Sequence, residues 1–269
     1  MTIETLKAKI KAPTFLDHSL TEKGWTLLRG LASSKEVEQG RRDISAVVKR
    51  LANEHRPLGD RDTYGKAFLQ VTNLWRQDPG VKEFVFNGGF AQAAADILGV
   101  ARVRLYHDQA LFKEPGGGPT PWHQDMYYWP LATEMAVTMW MPLVDVTADM
   151  GLVRFAEGSH KDQHRADLEI SDESDSYYSR FVNEKGYPIS GPDNLRAGDA
   201  TFHLGWTIHS AGPNHNADRV REVMTIIYIP DGTRIAKPAN PHQQADLEAF
   251  LGGRQPGELA DSEMNPIMN

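Results

Sequence analysis

The stretch Pro121-Trp122-His123-Gln124-Asp125 decides the fold predicted for this chain. It follows an apolar segment, Val103 to Phe112, that has the character of a strand. In extended backbone alternate side chains share a face, so His123 and Asp125 are expected to point the same way and Gln124 the other way. A histidine and a carboxylate on one face supply two ligands of a 2-His-1-carboxylate Fe(II) site, which leaves coordination positions open for a cosubstrate and oxygen.

A third ligand is predicted at His209, which lies 209 − 123 = 86 residues downstream. It closes an apolar segment and precedes a turn-rich stretch, after which an arginine opens the next apolar run. A jelly-roll barrel needs this arrangement to place a metal ligand and an anion anchor in one cavity. His203 is the alternative ligand, ranked lower because Gly205 predicts a bulge between the two histidines.

Several spaced motifs together resemble the phytanoyl-CoA dioxygenase family of Fe(II)/2-oxoglutarate-dependent oxygenases. The resemblance is dense from about Leu105 to Tyr228, and Glu157 stands where the family usually has proline. The motifs are Phe112-Lys113, Pro115-Gly116, Pro121 to Asp125, Gly151-Leu152, Gly158 to Lys161, Ala197-Gly198-Asp199, His209-Ser210 and Asn214. The resemblance implies a double-stranded β-helix of the jelly-roll type, with Fe(II) held by His123, Asp125 and His209.

The resemblance also implies a reaction. 2-Oxoglutarate and O2 would be consumed, succinate and CO2 released, and an unactivated C–H bond of a small, partly apolar metabolite hydroxylated. Related halogenases have a small residue at the carboxylate position, so Asp125 favours hydroxylation or a related oxidation such as desaturation. Two alternatives use the same barrel: a non-catalytic cupin-like binding protein, and a metal-dependent isomerase or hydrolase, which gives no reason for an arginine after His209.

The 2-oxoglutarate contacts are predicted around that arginine. The family's arginine usually follows the distal histidine by eleven positions, whereas here Arg219 follows by 219 − 209 = 10 and Arg221 by 221 − 209 = 12. Strand parity cannot separate the two, and we favour Arg221 because one inserted residue in the preceding turn restores the spacing. A guanidinium pairs with a carboxylate bidentately. Further predicted contacts to 2-oxoglutarate come from Ser210, Thr138 and Lys113, and contacts to substrate from Trp122, Tyr127, Tyr128 and Trp206.

Composition limits the other possibilities. The chain has no cysteine among 269 residues, so a metal must be held by histidine and carboxylate. A formal net charge of −7 argues against nucleic-acid binding, which requires clustered lysine and arginine. No segment approaches the roughly 18 apolar residues of a membrane span, and residues 1–11 lack a signal-peptide core, so the expected location is the cytoplasm. The oligomeric state stays open.

The predicted architecture is an all-β core with flanking α-helices in one domain over residues 1–269. Residues 1–100 would give helical support, 101–230 the jelly roll and 231–269 a tail. A capping box at Ser33 and Glu36 begins one helix, and Asp78-Pro79 begins a helical region that runs to Leu98. The tail is expected to contain a short helix, Gln243 to Leu251, and a poorly ordered polar end.

Positions can also be predicted for the remaining histidines and for one acidic stretch. His18, His55, His215 and His242 lie in polar surroundings and are expected on the surface. Residues 162–188 are acidic and lack strand alternation, which is typical of a binding loop or lid. Its apolar patch, Tyr177, Tyr178, Phe181 and Val182, is expected to close onto the aromatic mouth.

Overall fold

Two antiparallel sheets form the centre of the computed structural model, which describes residues 18–162 and 166–269. One sheet has six strands in the order β1-β8-β5-β10-β3-β2, and the other has four in the order β4-β9-β6-β7. The strands are β1 (Trp25–Leu28), β2 (Leu69–Thr72), β3 (Val103–Lys113), β4 (Thr120–His123), β5 (Val137–Pro142), β6 (Val153–Ala156), β7 (Ile189–Ser190), β8 (Ala200–Leu204), β9 (His209–Ala211) and β10 (Arg221–Pro230). The predicted jelly-roll core is confirmed. The expectation for residues 1–11 falls outside the described residues, and the assignment of 1–269 to one domain stays a prediction.

Helices flank the sheets as predicted. They are α1 (His18–Lys23), α2 (Ser34–Leu51), α3 (Thr63–Ala67), α4 (Pro79–Val85), α5 (Gly88–Leu98), α6 (Asp172–Lys185) and α7 (Pro241–Phe250). The capping box that begins α2 and the Asp78 cap of α4 are both formed. The predicted helical region to Leu98 is two helices, because the side chain of Asn87 caps a new one through the N–H of Gly89.

One face of the large sheet packs against helices, and the other face lines a cavity. On β10, Met224 and Ile226 are fully buried in a core that also contains α2, α4 and α5. On the opposite face, Arg221 and Thr225 line a cavity. The period-two alternation of a strand therefore separates the helix-facing side chains from the cavity-facing ones.

The chain crosses from the large sheet to the small one between β8 and β9. Gly205 lies at this crossing, where a Cβ atom would be 2.6 Å from Cγ of Met126. His203 and His209 thus belong to different sheets, so the predicted bulge in one strand is replaced by a crossover. Their imidazole rings are nevertheless 4.4 Å apart, because both strands deliver them to the same cavity.

The acidic stretch is largely helical rather than an extended loop. Ser171 caps α6 by accepting a hydrogen bond from the N–H of Ser174, and acidic residues in the first turn match the positive end of the helix dipole. Tyr178 and Val182 are buried in a cluster with Ile208, and Trp122 packs against it. The expected closing patch packs on the small sheet, and its closure onto the mouth stays a prediction.

The C-terminal end is also fixed. Asn265 is fully buried, and its Nδ2 donates to the carbonyl oxygens of Leu105, Tyr106 and Phe250. The expectation of a poorly ordered end is wrong, because this amide ties the tail to β3 and α7. No helix in the described ranges is both long and apolar enough to cross a membrane; the cytoplasmic location stays a prediction.

Candidate metal centre and cavity

Three predicted ligands meet at the end of the small sheet. His123 and His209 are directly opposite each other in the β4–β9 pair, and their ring centroids are 4.1 Å apart. The Nε2 atoms of His123 and His209 lie 3.5 Å and 3.6 Å from Oδ1 of Asp125. One potential ligand atom from each residue lies within 4.8 Å of the other two. This donor set suits Fe(II) and leaves coordination positions free.

Backbone carbonyls set the tautomer of both histidines. Nδ1 of His123 is 2.7 Å from the carbonyl oxygen of Pro121, and Nδ1 of His209 is 2.9 Å from that of Thr207. A carbonyl only accepts, so Nδ1 must carry the proton and Nε2 keeps its lone pair. Burial lowers the pKa of His209 well below its usual value, and the neighbouring His123 lowers it further. The imidazole is therefore neutral, as a metal ligand must be.

The second oxygen of Asp125 is held by two other side chains. Thr138 donates its hydroxyl hydrogen to Oδ2 over 2.8 Å, and Nε2 of His203 lies 3.2 Å from the same atom. Thr138 thus contacts the carboxylate ligand and also lines the cavity, and its predicted contact with a 2-oxoglutarate carboxylate stays a prediction.

Three residues near the ligands, Trp122, Gln124 and Trp206, point away from the cavity. Gln124 donates to the carbonyl of Trp206 and accepts the hydroxyl of Tyr178, so it holds the ligand loop against α6. Trp122 packs on the Tyr178 cluster, and Trp206 packs beside the apolar cluster around Met126. Neither tryptophan lines the cavity. The cavity lining therefore gives their predicted substrate contacts no support, and parity turns Trp122 away from His123. Those contacts stay predictions.

A cavity of about 1050 Å³ opens in front of the three ligands. Its walls include two predicted substrate contacts, Tyr127 and Tyr128, and, besides Arg221, two predicted 2-oxoglutarate contacts, Ser210 and Thr138. His203 and Arg221 also line it. The large sheet, the small sheet and α7 thus surround one space that is large enough for a cosubstrate and a small molecule.

Arg221 is a buried cation without an anion. Its side chain is 1% exposed, and one guanidinium nitrogen donates to the carbonyl of Gly151 over 2.6 Å. Nε has no hydrogen-bond partner, and no described carboxylate forms an ion pair with the group. Burial lowers the pKa of Arg221 to about 9. A carboxylate bound in the cavity would supply the missing partner, so this residue fits the anion end of 2-oxoglutarate.

Gly151 makes this anchor possible. Its backbone φ is +80°, and a Cβ atom there would lie 2.3 Å from the carbonyl oxygen of Gly212. Only glycine accepts both the conformation and the close approach. Arg219, in contrast, is exposed and donates to the carbonyl of Asp145 at the surface.

Lys113 is buried beside Arg221 but faces other groups. It is the cross-strand partner of Arg221, and its Nζ donates to the carbonyl of Gly118 and lies 3.4 Å from the Thr120 hydroxyl. Burial, reinforced by Arg221, lowers the pKa of Lys113 to about 6. Lys113 does not line the cavity, which leaves its predicted 2-oxoglutarate contact without support.

Two parts of the cavity wall, His107 and one face of α7, were not predicted from the sequence. His107 lines it from β3, stacked on Phe250 with ring centroids 4.3 Å apart. Helix α7 contributes His242, Asp246 and Phe250. Their four-residue spacing puts them on one helix face, a signal that the sequence does contain. His242 is thus part of the cavity mouth and not an isolated surface residue.

Comparisons with known proteins agree with this geometry. The family model described as phytanoyl-CoA dioxygenase matches residues 20–223. A probable alpha-ketoglutarate-dependent hypophosphite dioxygenase of Stutzerimonas stutzeri is 24% identical over 220 residues, which are 74% of this chain and 73% of that protein.

Solved structures with the same fold cover nearly the whole chain. The non-heme alpha ketoglutarate dependent carbocyclase SnoK from nogalamycin biosynthesis matches with a TM-score of 0.75 and 23% identity, over 96% of this chain and 99% of that one. The epimerase SnoN, solved with Fe3+, alpha ketoglutarate and nogalamycin RO, matches with a TM-score of 0.73 and 23% identity. The match covers 93% of this chain and 96% of that one.

Proposed function

This chain belongs to the phytanoyl-CoA dioxygenase family of Fe(II)/2-oxoglutarate-dependent oxygenases, and from that membership we propose that it hydroxylates an unactivated C–H bond of a small, partly apolar metabolite. One observation supports this most: the His123, Asp125 and His209 cluster shares a cavity with the unpaired buried Arg221. A metal site alone would suit many reactions. A metal site beside a buried, unpaired cation suits a carboxylate cosubstrate.

The residues divide into three roles in this proposal. His123, Asp125 and His209 hold Fe(II), and Arg221 binds the distal carboxylate of 2-oxoglutarate, with Ser210 close by on the cavity wall. When bound, iron, 2-oxoglutarate and oxygen supply an oxidant able to break an unactivated C–H bond, while 2-oxoglutarate becomes succinate and CO2. The protein's contribution is to orient the substrate and keep the site dry.

The alternatives explain less of the cavity. A binding protein without turnover gives no reason for a neutral two-histidine metal site, and an isomerase or hydrolase gives no reason for Arg221 to be buried unpaired. Among proteins with this fold, one is described as an epimerase and one as a carbocyclase. Hydroxylation therefore has to be tested against other oxidative outcomes.

Product mass distinguishes these outcomes. The Fe(II)-loaded protein is supplied with 2-oxoglutarate, oxygen and a metabolite library, and both succinate release and the mass of every library compound are measured. Hydroxylation adds one oxygen atom, desaturation or ring closure removes two hydrogen atoms, and epimerisation leaves the mass unchanged. A product without added oxygen would refute hydroxylation, and substrate conversion without succinate would refute 2-oxoglutarate dependence.

A further inference from the structure

The cavity carries a strong excess of negative charge outside the metal centre. Six carboxylate side chains line it in addition to Asp125, and Arg221 is the single lysine or arginine among the described lining residues. The six are Asp62, Asp167, Glu169, Asp172, Glu173 and Asp246. Because Arg221 suits the 2-oxoglutarate carboxylate, the remaining space is an anionic environment for the substrate.

Five of these carboxylates are exposed at the mouth, and Asp246 is half-buried on the wall. Several exposed ones already have partners: Glu169 pairs with His242 over 2.9 Å, and Asp172 accepts the hydroxyl hydrogen of Thr63. Charges at an open mouth are screened by salt, so they attract a cation without fixing it. A group that fixes a cation must lie deeper.

Asp246 has the position and the free acceptor capacity for that task. One of its oxygens, Oδ2, accepts the Tyr106 hydroxyl hydrogen over 3.1 Å, and a carboxylate offers about four lone-pair sites. It lies between His242 and Phe250 on the cavity-facing side of α7. Burial raises the pKa of Asp246 to about 7. A bound cation would compensate that burial and favour the ionised form.

A second, independent feature of the same wall points to a donor ligand. His107 is 4% exposed, lines the cavity and has an Nδ1 atom without a hydrogen-bond partner. Burial lowers the pKa of His107 to about 4, so its ring is neutral. With the proton on Nε2, the unpartnered Nδ1 accepts a hydrogen bond from an N–H donor. Trp129 and Phe250 beside it present aromatic surface, which also attracts cations.

We propose that the substrate is a small molecule with a protonated amino group, which Asp246 binds from α7. This inference rests on the proposed function, because it takes Arg221 as the 2-oxoglutarate anchor. It also goes beyond what the family shares, since the family match ends at residue 223 and α7 begins at Pro241. Helix α7 is therefore the element that adapts the common barrel to an amine.

Matched probe pairs test the inference without turnover. The protein is loaded with Mn(II) and 2-oxoglutarate, and binding is measured by the paramagnetic relaxation of probe protons for benzylamine against benzyl alcohol and cyclohexylmethylamine against cyclohexylmethanol. A charge-assisted hydrogen bond predicts about tenfold or greater preference for each amine. Amines that bind no better than their alcohols overturn the inference.

Two variants locate the effect. Asp246→Asn keeps an oxygen that can accept the Tyr106 hydroxyl but removes the charge, so it should abolish the amine preference and leave 2-oxoglutarate binding intact. Glu248→Gln makes the same charge change on the exposed side of α7 and should retain the preference. Equal loss in both variants would overturn the role of Asp246. Failure of the wild-type protein to bind 2-oxoglutarate would instead count against the proposed function.

Discussion

His203 places its Nε2 atom 3.2 Å from Oδ2 of Asp125, the oxygen that also accepts the hydroxyl of Thr138. The other oxygen, Oδ1, is the one that lies near His123 and His209. His203 is thus placed to orient a ligand instead of binding the metal itself. Groups in this position are commonly required for full metal affinity because they fix the geometry of the ligand.

We expect His203→Ala to weaken Fe(II) or Mn(II) binding by about 10–100-fold without changing the stoichiometry. Thr138→Val should act in the same direction, since it removes the other partner of Oδ2. His209→Ala should abolish stoichiometric binding. Metal titration by calorimetry measures all three variants. If His203→Ala loses the metal while His209→Ala retains it, the third ligand has been assigned to the wrong histidine.

Arg221 and Arg219 give opposite predictions for 2-oxoglutarate. Loss of a buried charge pair costs about 2–5 kcal/mol, so Arg221→Ala should weaken 2-oxoglutarate binding by roughly 30-fold or more. Arg219→Ala should change it little, because that side chain is bonded at the surface to the carbonyl of Asp145. Equilibrium titration of the metal-loaded proteins decides, and the reverse ranking would contradict Arg221 as the anchor.

Lys113 predicts a specific pH dependence of stability. Its pKa in the fold is about 6 against an ordinary 10.5, so between these values the unfolded chain binds more protons than the folded one. The free energy of unfolding should therefore gain a positive slope with pH across this window. Lys113→Met should lack that contribution. Urea unfolding of both proteins at several pH values gives the difference, and parallel curves would contradict the buried, neutral lysine.

The acidic stretch reaches the cavity through the segment 166–171 and the first two residues of α6, Asp172 and Glu173. Leu168 and Ile170 line it, and the N–H of Ile170 donates to the Tyr128 hydroxyl over 2.7 Å. Helix α6 is tied down separately, because Asp175 accepts the N–H of Trp122. We expect added hydrogen-exchange protection in 166–171 when 2-oxoglutarate and an amine probe bind, with little change over α6. Unchanged protection in 166–171 would show that this segment is not a lid.

Local patterns in the sequence were sufficient to predict much of the site. Strand parity placed His123 and Asp125 on one face, and the turn and arginine that follow His209 marked it as the third ligand. Its expected position at the end of an apolar strand is wrong, because His209 is the first residue of β9. The caps of α2 and α4 follow from the two or three residues that form them. These features depend on residues that are close together in the sequence, so the sequence alone is enough to predict them.

Other features depend on contacts between distant segments. Strand parity could not separate Arg219 from Arg221, because residues two apart on a strand point to the same face. They differ only in the fold, where Arg221 is buried and donates to the carbonyl of Gly151. The contact of Thr138 with Asp125 needs the β5 register. Asp246 joins the cavity only because α7 packs across its opening. Sequence patterns gave no distance between these elements.

The most direct test of the account is an anaerobic titration of the Fe(II)-loaded protein with 2-oxoglutarate. Chelation of a 2-oxo acid by Fe(II) gives a visible charge-transfer absorption. We predict that this band saturates at one equivalent in the wild-type protein, needs far more 2-oxoglutarate in Arg221→Ala, and is absent in His209→Ala. No band in the iron-loaded wild type, or an undiminished band in His209→Ala, would contradict the assignment of this cavity.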